Sequence, residues 1–194
     1  MLVINFYAGP GAGKSTTAAL TYGALKRLGV RAELVTEVAK DWTWEHPGGK
    51  WQAFQPRVSA EQAWRLRRLL GEGVEVAVTD SPVLLGLAYC DATQQRLLRP
   101  WVEHEYLAYS NLDIFIQRTK PYAAYGRTQD EEQAIMLDDI VSRLLHRLGI
   151  LHLKMEDSAS LPETVAKLTL QHPFMKALKY DLSRQADDPR PQPA

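Results

Sequence analysis

Residues Ala8-Gly9-Pro10-Gly11-Ala12-Gly13-Lys14-Ser15 set small residues, one lysine and one hydroxyl at the spacing of a phosphate-binding loop, with Ala8 where the first glycine of that pattern usually stands. Small residues let the backbone curl until successive N–H groups point at phosphate oxygens. A helix that begins at the loop's end adds the positive pole of its dipole. The candidate cradle is Gly9, Gly11, Ala12, Gly13, Lys14, Ser15 and Thr16. Lys14 would reach the β- and γ-phosphates of a nucleoside triphosphate, Ser15 would ligate Mg²⁺ through its hydroxyl, and Thr16 would sit near the α-phosphate. The expected cofactors are therefore ATP and Mg²⁺.

A second chemical group lies at the end of the apolar run Val76-Ala77-Val78-Thr79, where Asp80 follows. A carboxylate in that place holds the Mg²⁺ shell in phosphate-loop proteins. A helix N-cap is the other role open to Asp80, and the two can coexist. The next residue is Ser81, where ATPase machines commonly carry a water-polarising glutamate, and no Asn-Lys-x-Asp guanine motif occurs. The missing glutamate points away from an ATPase machine and the missing guanine motif away from a GTPase, which leaves transfer to a hydroxyl. Such transfer needs a base near the acceptor oxygen. Glu37, at the end of Glu33-Leu34-Val35-Thr36, is the candidate, with Asp41 as the alternative base and an exposed loop carboxylate as the plain reading of Glu37. Arg118, Lys120 and Arg127 could close over a transferring phosphoryl group and stabilise its charge, Arg127 above all because Gly126 frees the loop. The catalytic set is thus Lys14, Glu37, Asp80 and Arg127, with Arg118 as a further nucleotide contact and Ser15 and Asp80 as metal ligands.

The acceptor side is read from Asp41, Trp42, Trp44 and Trp51, which follow Glu37 in a stretch broken by Pro and Gly. A tryptophan can stack on a nucleobase for roughly 1–3 kcal/mol. Filling a small core beneath the insertion is the competing use. Gln52, Gln55 and Arg57 could read polar edges or a phosphate. Arg65, Arg67 and Arg68 form a local basic cluster that could track a DNA backbone or merely be a solvated helix face. The five histidines, 46, 104, 146, 152 and 172, show no zinc spacing.

These groups must be positioned by a scaffold, and the chain alternates strand-like and helix-like segments. Strands are expected at Leu2–Tyr7, Arg31–Thr36, Val74–Thr79, Leu112–Ile116 and Ile150–Met155. Helices are expected at Ser15–Leu28, Ser59–Leu70 with Ser59 as cap, after Pro82, Glu131–Leu148 and Leu161–Leu170. The Asp130-Glu131-Glu132 run complements the dipole of the helix it opens. Five apolar strands separated by helices imply a parallel α/β sheet covered on both faces. Residues 1–186 then form a single domain, with an insertion at 40–57, a lid at 118–130 and a loose proline-bearing tail at 187–194. The 194 residues carry 23 basic and 23 acidic side chains, so any nucleic-acid contact must be a local patch. One cysteine, Cys90, excludes an internal disulfide and fits a reducing cytoplasm, where it is expected to be buried and inert. No signal peptide or membrane span is expected.

The stretches Asn5 to Thr17, Glu33-Leu34-Val35-Thr36-Glu37-Val38-Ala39-Lys40-Asp41, Thr79-Asp80-Ser81-Pro82, and Lys120-Pro121-Tyr122 through Gly126-Arg127-Thr128-Gln129 resemble bacteriophage P-loop kinases. These are relatives of the ribosylnicotinamide kinase domain of bacterial NAD-salvage enzymes, and the resemblance covers about residues 1–155. It implies a P-loop NTPase fold with sheet order 2-3-1-4-5, a mobile lid after strand four, and Glu37 in the place of the group's base. Some members it resembles phosphorylate 5-hydroxymethyl-pyrimidine bases already in DNA. The resulting expectation is an ATP-dependent kinase for a nucleobase, nucleoside or ribosylnicotinamide hydroxyl. An ATP-dependent switch or ATPase that binds a protein partner is the rival from another class.

Overall fold

The structure, a computed structural model, describes residues 1–45, 55–122 and 129–179. In chain order the elements are β1 (Leu2–Tyr7), α1 (Lys14–Arg27), β2 (Ala32–Val35), α2 (Val38–Glu45), α3 (Gln55–Arg67), β3 (Val76–Thr79), a 3-10 helix (Val83–Tyr89), α4 (Ala92–Leu107), β4 (Ser110–Gln117), α5 (Glu131–Arg147), β5 (Leu153–Glu156) and α6 (Leu161–Gln171). A largely apolar strand such as Leu2-Val3-Ile4-Asn5-Phe6-Tyr7 is stable only where helices cover both faces. β1 accordingly lies at the centre and is buried throughout. It pairs in parallel with β3, Leu2 opposite Val76, and with β4, Leu2 opposite Ser110. All pairings are parallel, and the sheet order is β2-β3-β1-β4-β5.

Alternation along β1 divides the core. Leu2, Ile4 and Phe6 pack with α1 and α6 residues such as Ala18, Leu25 and Val165. Val3 and Tyr7 pack on the other face with Ala63, Leu66, Leu84, Leu87 and Leu145. Because the strands are parallel, the loops after β1, β2, β3 and β4 all leave from one edge of the sheet. That edge is where an open α/β sheet binds ligands.

Several local expectations shift. Ser59 does not cap α3. The helix begins at Gln55, with Pro56 in its first turn where a fixed φ and a missing N–H cost nothing, and Ser59 is buried mid-helix under Gly86. The stretch expected to be irregular from Lys40 is helical as far as Glu45. Pro82 opens only the 3-10 helix. The separate helix α4 is capped by Asp91 in a reciprocal box with Gln94. Asp130 makes the same box with Gln133 at the start of α5. Cys90 is half-buried; its thiol meets the Gly86 carbonyl at 3.4 Å, and burial pushes it up to about 11. Among the described residues no helix is long and apolar enough to cross a membrane.

Candidate active site

The loop between β1 and α1 owes its shape to particular residues. Gly11 and Gly13 take φ values of 79° and 99°, a region where a side chain is strained. Ala8 needs no such freedom: it is wholly buried, and its methyl joins the core. Gly13 stands at the N-cap of α1 with no side-chain cap, and Ser15 and Thr16 are exposed beside it. The first-turn N–H groups of α1 therefore face outward with the dipole's positive end, an arrangement built for an anion. Lys14 is buried. Its ammonium donates to the Ala8 carbonyl at 2.8 Å and the Gly9 carbonyl at 3.0 Å, which aims it along the inside of the loop. Burial lowers its pKa, while the charges of Glu37, Asp80 and Asp138 oppose that shift.

Those opposing charges place the two predicted carboxylates beside the lysine. Asp80 is 5% exposed, and its Oδ1 has no hydrogen-bond partner among the described residues. It does not cap the following 3-10 helix, whose N-cap is Pro82. A buried carboxylate oxygen left without a donor suits a divalent cation's shell, to which the exposed Ser15 hydroxyl could contribute from α1. Glu37 lies one residue before α2 and is partly buried. Burial raises its pKa; Lys14 and Lys40 pull it back, and Asp80 and Asp41 push it further up. The result is a carboxylate more basic than usual within the field of the phosphate-loop lysine. Tyr89, at the end of the 3-10 helix, feels both Glu37 and Asp138, so its phenol is held far above its ordinary range chiefly by burial.

The far wall comes from β4, α5 and the segment after β5. Arg118, the residue after β4, donates from Nη2 to the Pro10 carbonyl at 2.8 Å and holds the Asp138 carboxylate from Nε and Nη2 at 3.1 and 3.0 Å. Asp138 in turn accepts the Gly9 N–H at 2.5 Å. The Gly9 amide is thus engaged by a side chain. Its small size serves another end: a Cβ there would lie 2.4 Å from the Ala134 carbonyl of α5. Asp157 lies over Gly13 and pairs with Lys120 at 2.6 Å. Lys120 therefore does not hang free over the loop. The Tyr122 hydroxyl donates to the Gln129 carbonyl, both within the predicted lid. Arg127 falls outside the described residues, as does Trp51.

On the acceptor side, Asp41 is bound by Arg65 at 2.7 Å, which also pairs with Glu61 at 3.2 Å. Asp41 thus carries a counter-ion. Trp42 turns toward α3, with its indole N–H 3.4 Å from Glu61 and the Arg57 guanidinium 5.1 Å from its ring. Trp44 is 54% exposed. The basic cluster is partly paired: Arg67 makes two 2.7 Å bonds to the buried Glu105, and Arg68, just past α3, lies over the exposed Trp64 ring. Asp138 and Asp157 escaped sequence reasoning, because neither stands in a motif and each meets the loop from more than a hundred residues away.

Residues 3–163 match the family described as an AAA domain. The chain belongs to this AAA-domain family. The match takes in the phosphate loop, Glu37, Asp80, Arg118 and Asp138 of this family member. In fold, the AAA-domain chain is similar to deoxyadenosine kinase from M. mycoides. With dATP bound, that structure gives a TM-score of 0.54 at 18% identity over 86% of this chain and 98% of that one. With the products dCMP and a flexible dCDP bound, it gives a TM-score of 0.51 at 16% identity over 87% of this chain and 97% of that one. Among curated proteins, none matches the chain in sequence.

Proposed function

We propose that this chain is an ATP-dependent phosphotransferase that moves the γ-phosphate to a hydroxyl of a nucleoside-like acceptor. The observation that carries this reading is Glu37: a carboxylate made more basic by burial, set within the field of Lys14 and beside Asp80 at one sheet edge. In the step, the Glu37 carboxylate accepts the acceptor's hydroxyl proton. The freed oxygen forms a bond to the γ-phosphorus, and the bond from that phosphorus to the β,γ-bridging oxygen breaks. ADP leaves with that electron pair. Lys14 and the amides at the start of α1 stabilise the oxygens that gain charge. Asp80 and Ser15 would hold Mg²⁺, which neutralises β- and γ-phosphate charge when bound.

The narrower acceptor is the hydroxymethyl group of a 5-hydroxymethyl-pyrimidine in DNA. The family resemblance and the tryptophans just past Glu37 support it, and such a base would have to leave the duplex stack to reach the γ-phosphate. The pairing of Arg65 and Arg67 with acidic partners favours a second reading, a free nucleoside, nucleotide or ribosylnicotinamide acceptor.

One experiment separates them. Labelled ATP is offered with DNA containing 5-hydroxymethyluracil or 5-hydroxymethylcytosine, with unmodified DNA, and with a panel of nucleosides and ribosylnicotinamide. Label on the modified DNA alone supports the narrower acceptor, and label on a free nucleoside supports the second reading. ADP released at the same rate with no acceptor present would overturn the phosphotransferase and leave an ATPase or switch.

A further inference from the structure

Glu37 lies in the connection between β2 and α2, where the chain leaves the sheet: the last paired residue of β2 is Val35, opposite Thr79, and α2 begins at Val38. Neither element's own ladder holds the peptide groups on the two sides of Glu37. Left to itself such a link would let a side chain wander by ångströms, which a base acting on a bound hydroxyl cannot tolerate.

The structure fills the gap with one side chain from α3. The Gln62 carboxamide oxygen accepts the Val38 N–H at 3.0 Å, and its nitrogen donates to the Thr36 carbonyl at 3.3 Å. One planar amide thus satisfies the carbonyl before Glu37 and the N–H after it. A residue of a neighbouring parallel strand makes the same pair of bonds to the residues flanking its partner. Gln62 is 4% exposed, and its bond to the Val38 N–H is buried while that to the Thr36 carbonyl is partly so. Arg65, one turn along α3, adds bonds to the Thr36 carbonyl at 3.2 Å and to its hydroxyl at 3.3 Å.

We propose that Gln62 is a positioning residue for Glu37, its buried amide standing in for a strand partner so that the carboxylate is held toward the acceptor. The inference rests on the reading of Glu37 as the base. Gln62 is buried and touches the backbone around Glu37. Its carboxamide donates and accepts in one plane whatever the pH, which an ionised carboxylate or a hydrocarbon cannot do. An ionised carboxylate could still accept the Val38 N–H but would lose the donation to the Thr36 carbonyl, leaving that group to Arg65, and a hydrocarbon would lose both bonds.

The test is a double-mutant cycle between Gln62→Met and Glu37→Gln, read as kcat and as KM for ATP on the full chain. Gln62→Met keeps the volume and removes both bonds. Alone, it is expected to lower kcat by roughly 10- to 100-fold with KM for ATP nearly unchanged, as a displacement of about 1 Å would. In the Glu37→Gln background it should cost less than about twofold, because there is no base left to position. An equal loss in both backgrounds, or a loss confined to KM for ATP, would overturn the positioning role while leaving Glu37 as base. Normal turnover by Glu37→Gln alone would instead overturn the base assignment and this inference with it. If Gln62→Met does not fold, Gln62→Asn serves in the same cycle with the same expected outcomes, since it withdraws the amide by one methylene without adding bulk.

Discussion

Gly9→Ala isolates a contact that has nothing to do with phosphate. The added Cβ would meet the Ala134 carbonyl at 2.4 Å, Asp138 Oδ1 at 3.0 Å and the Asp138 amide at 3.2 Å. An ordinary contact of this kind begins at 3.4 Å, so the phosphate loop or the first half of α5 must yield by roughly 1 Å. The hardest contact is a backbone carbonyl inside a helix, which cannot rotate away. The same movement would break the 2.5 Å bond from the Gly9 amide to Asp138 and loosen Arg118 with it. Overpacking of this kind costs about 1–3 kcal/mol, a fall in Tm of roughly 2–12 °C at this chain length. A displacement of about 1 Å at the phosphate cradle should lower kcat about 100-fold. The measurements are kcat and KM for ATP from coupled ADP release, with Tm from thermal unfolding. Gly23→Ala, where an added Cβ meets nothing within 4 Å on α1, is the matched control and should raise stability by about 0.5–1 kcal/mol with activity unchanged. A Gly9→Ala enzyme with normal kcat and Tm would refute the claim that α5 sets the position of the loop.

Other expectations follow from the same geometry. Glu37→Gln should lower kcat by roughly 10²–10⁴-fold while ATP still binds, checked by single-turnover transfer and nucleotide titration. In the wild type, burial raises the Glu37 pKa, so the acid limb of kcat/KM should lie above the usual carboxylate value of 4.5 and vanish in the variant. The stability sign follows from the same shift. A raised folded-state pKa contributes stability that is complete below the unfolded value and is lost as pH rises through the folded one. Glu37→Gln should therefore gain Tm over wild type near about pH 8 and lose that advantage near about pH 4. Asp80→Asn should raise the Mg²⁺ concentration needed for half-maximal rate and cut turnover, measured by metal titration. Asp138→Asn keeps an acceptor for the Gly9 amide but removes the charge that holds Arg118, so KM for ATP and the salt dependence of the rate should change together.

The phosphate loop was legible because its chemistry is local. Residues 8–16 are contiguous, and small residues before a lysine and a hydroxyl can be read in one dimension. The parallel sheet was legible for a similar reason: apolar runs such as Leu2–Tyr7 and Val76–Thr79 leave no polar face to expose. The positions of Glu37 and Asp80 at one edge followed once the strands were parallel. Helix α4 was missed although Asp91 and Gln94 spell a capping box, because its polar surface and Pro100 obscured its period.

What only tertiary structure decided are the pairings made across the chain. Nothing near Asp138 in sequence marks it as the acceptor for an amide 129 residues away, nor Gln62 as the bracket around Glu37. Likewise, the pairs Asp41–Arg65 and Arg67–Glu105 form only when α2, α3 and α4 pack together, whereas Arg65–Glu61 lies within one helix. Residue type and spacing specify what a backbone can do locally. Whether a charged or amide side chain serves ligand, metal or a neighbouring helix depends on which group the fold brings within about 3 Å of it.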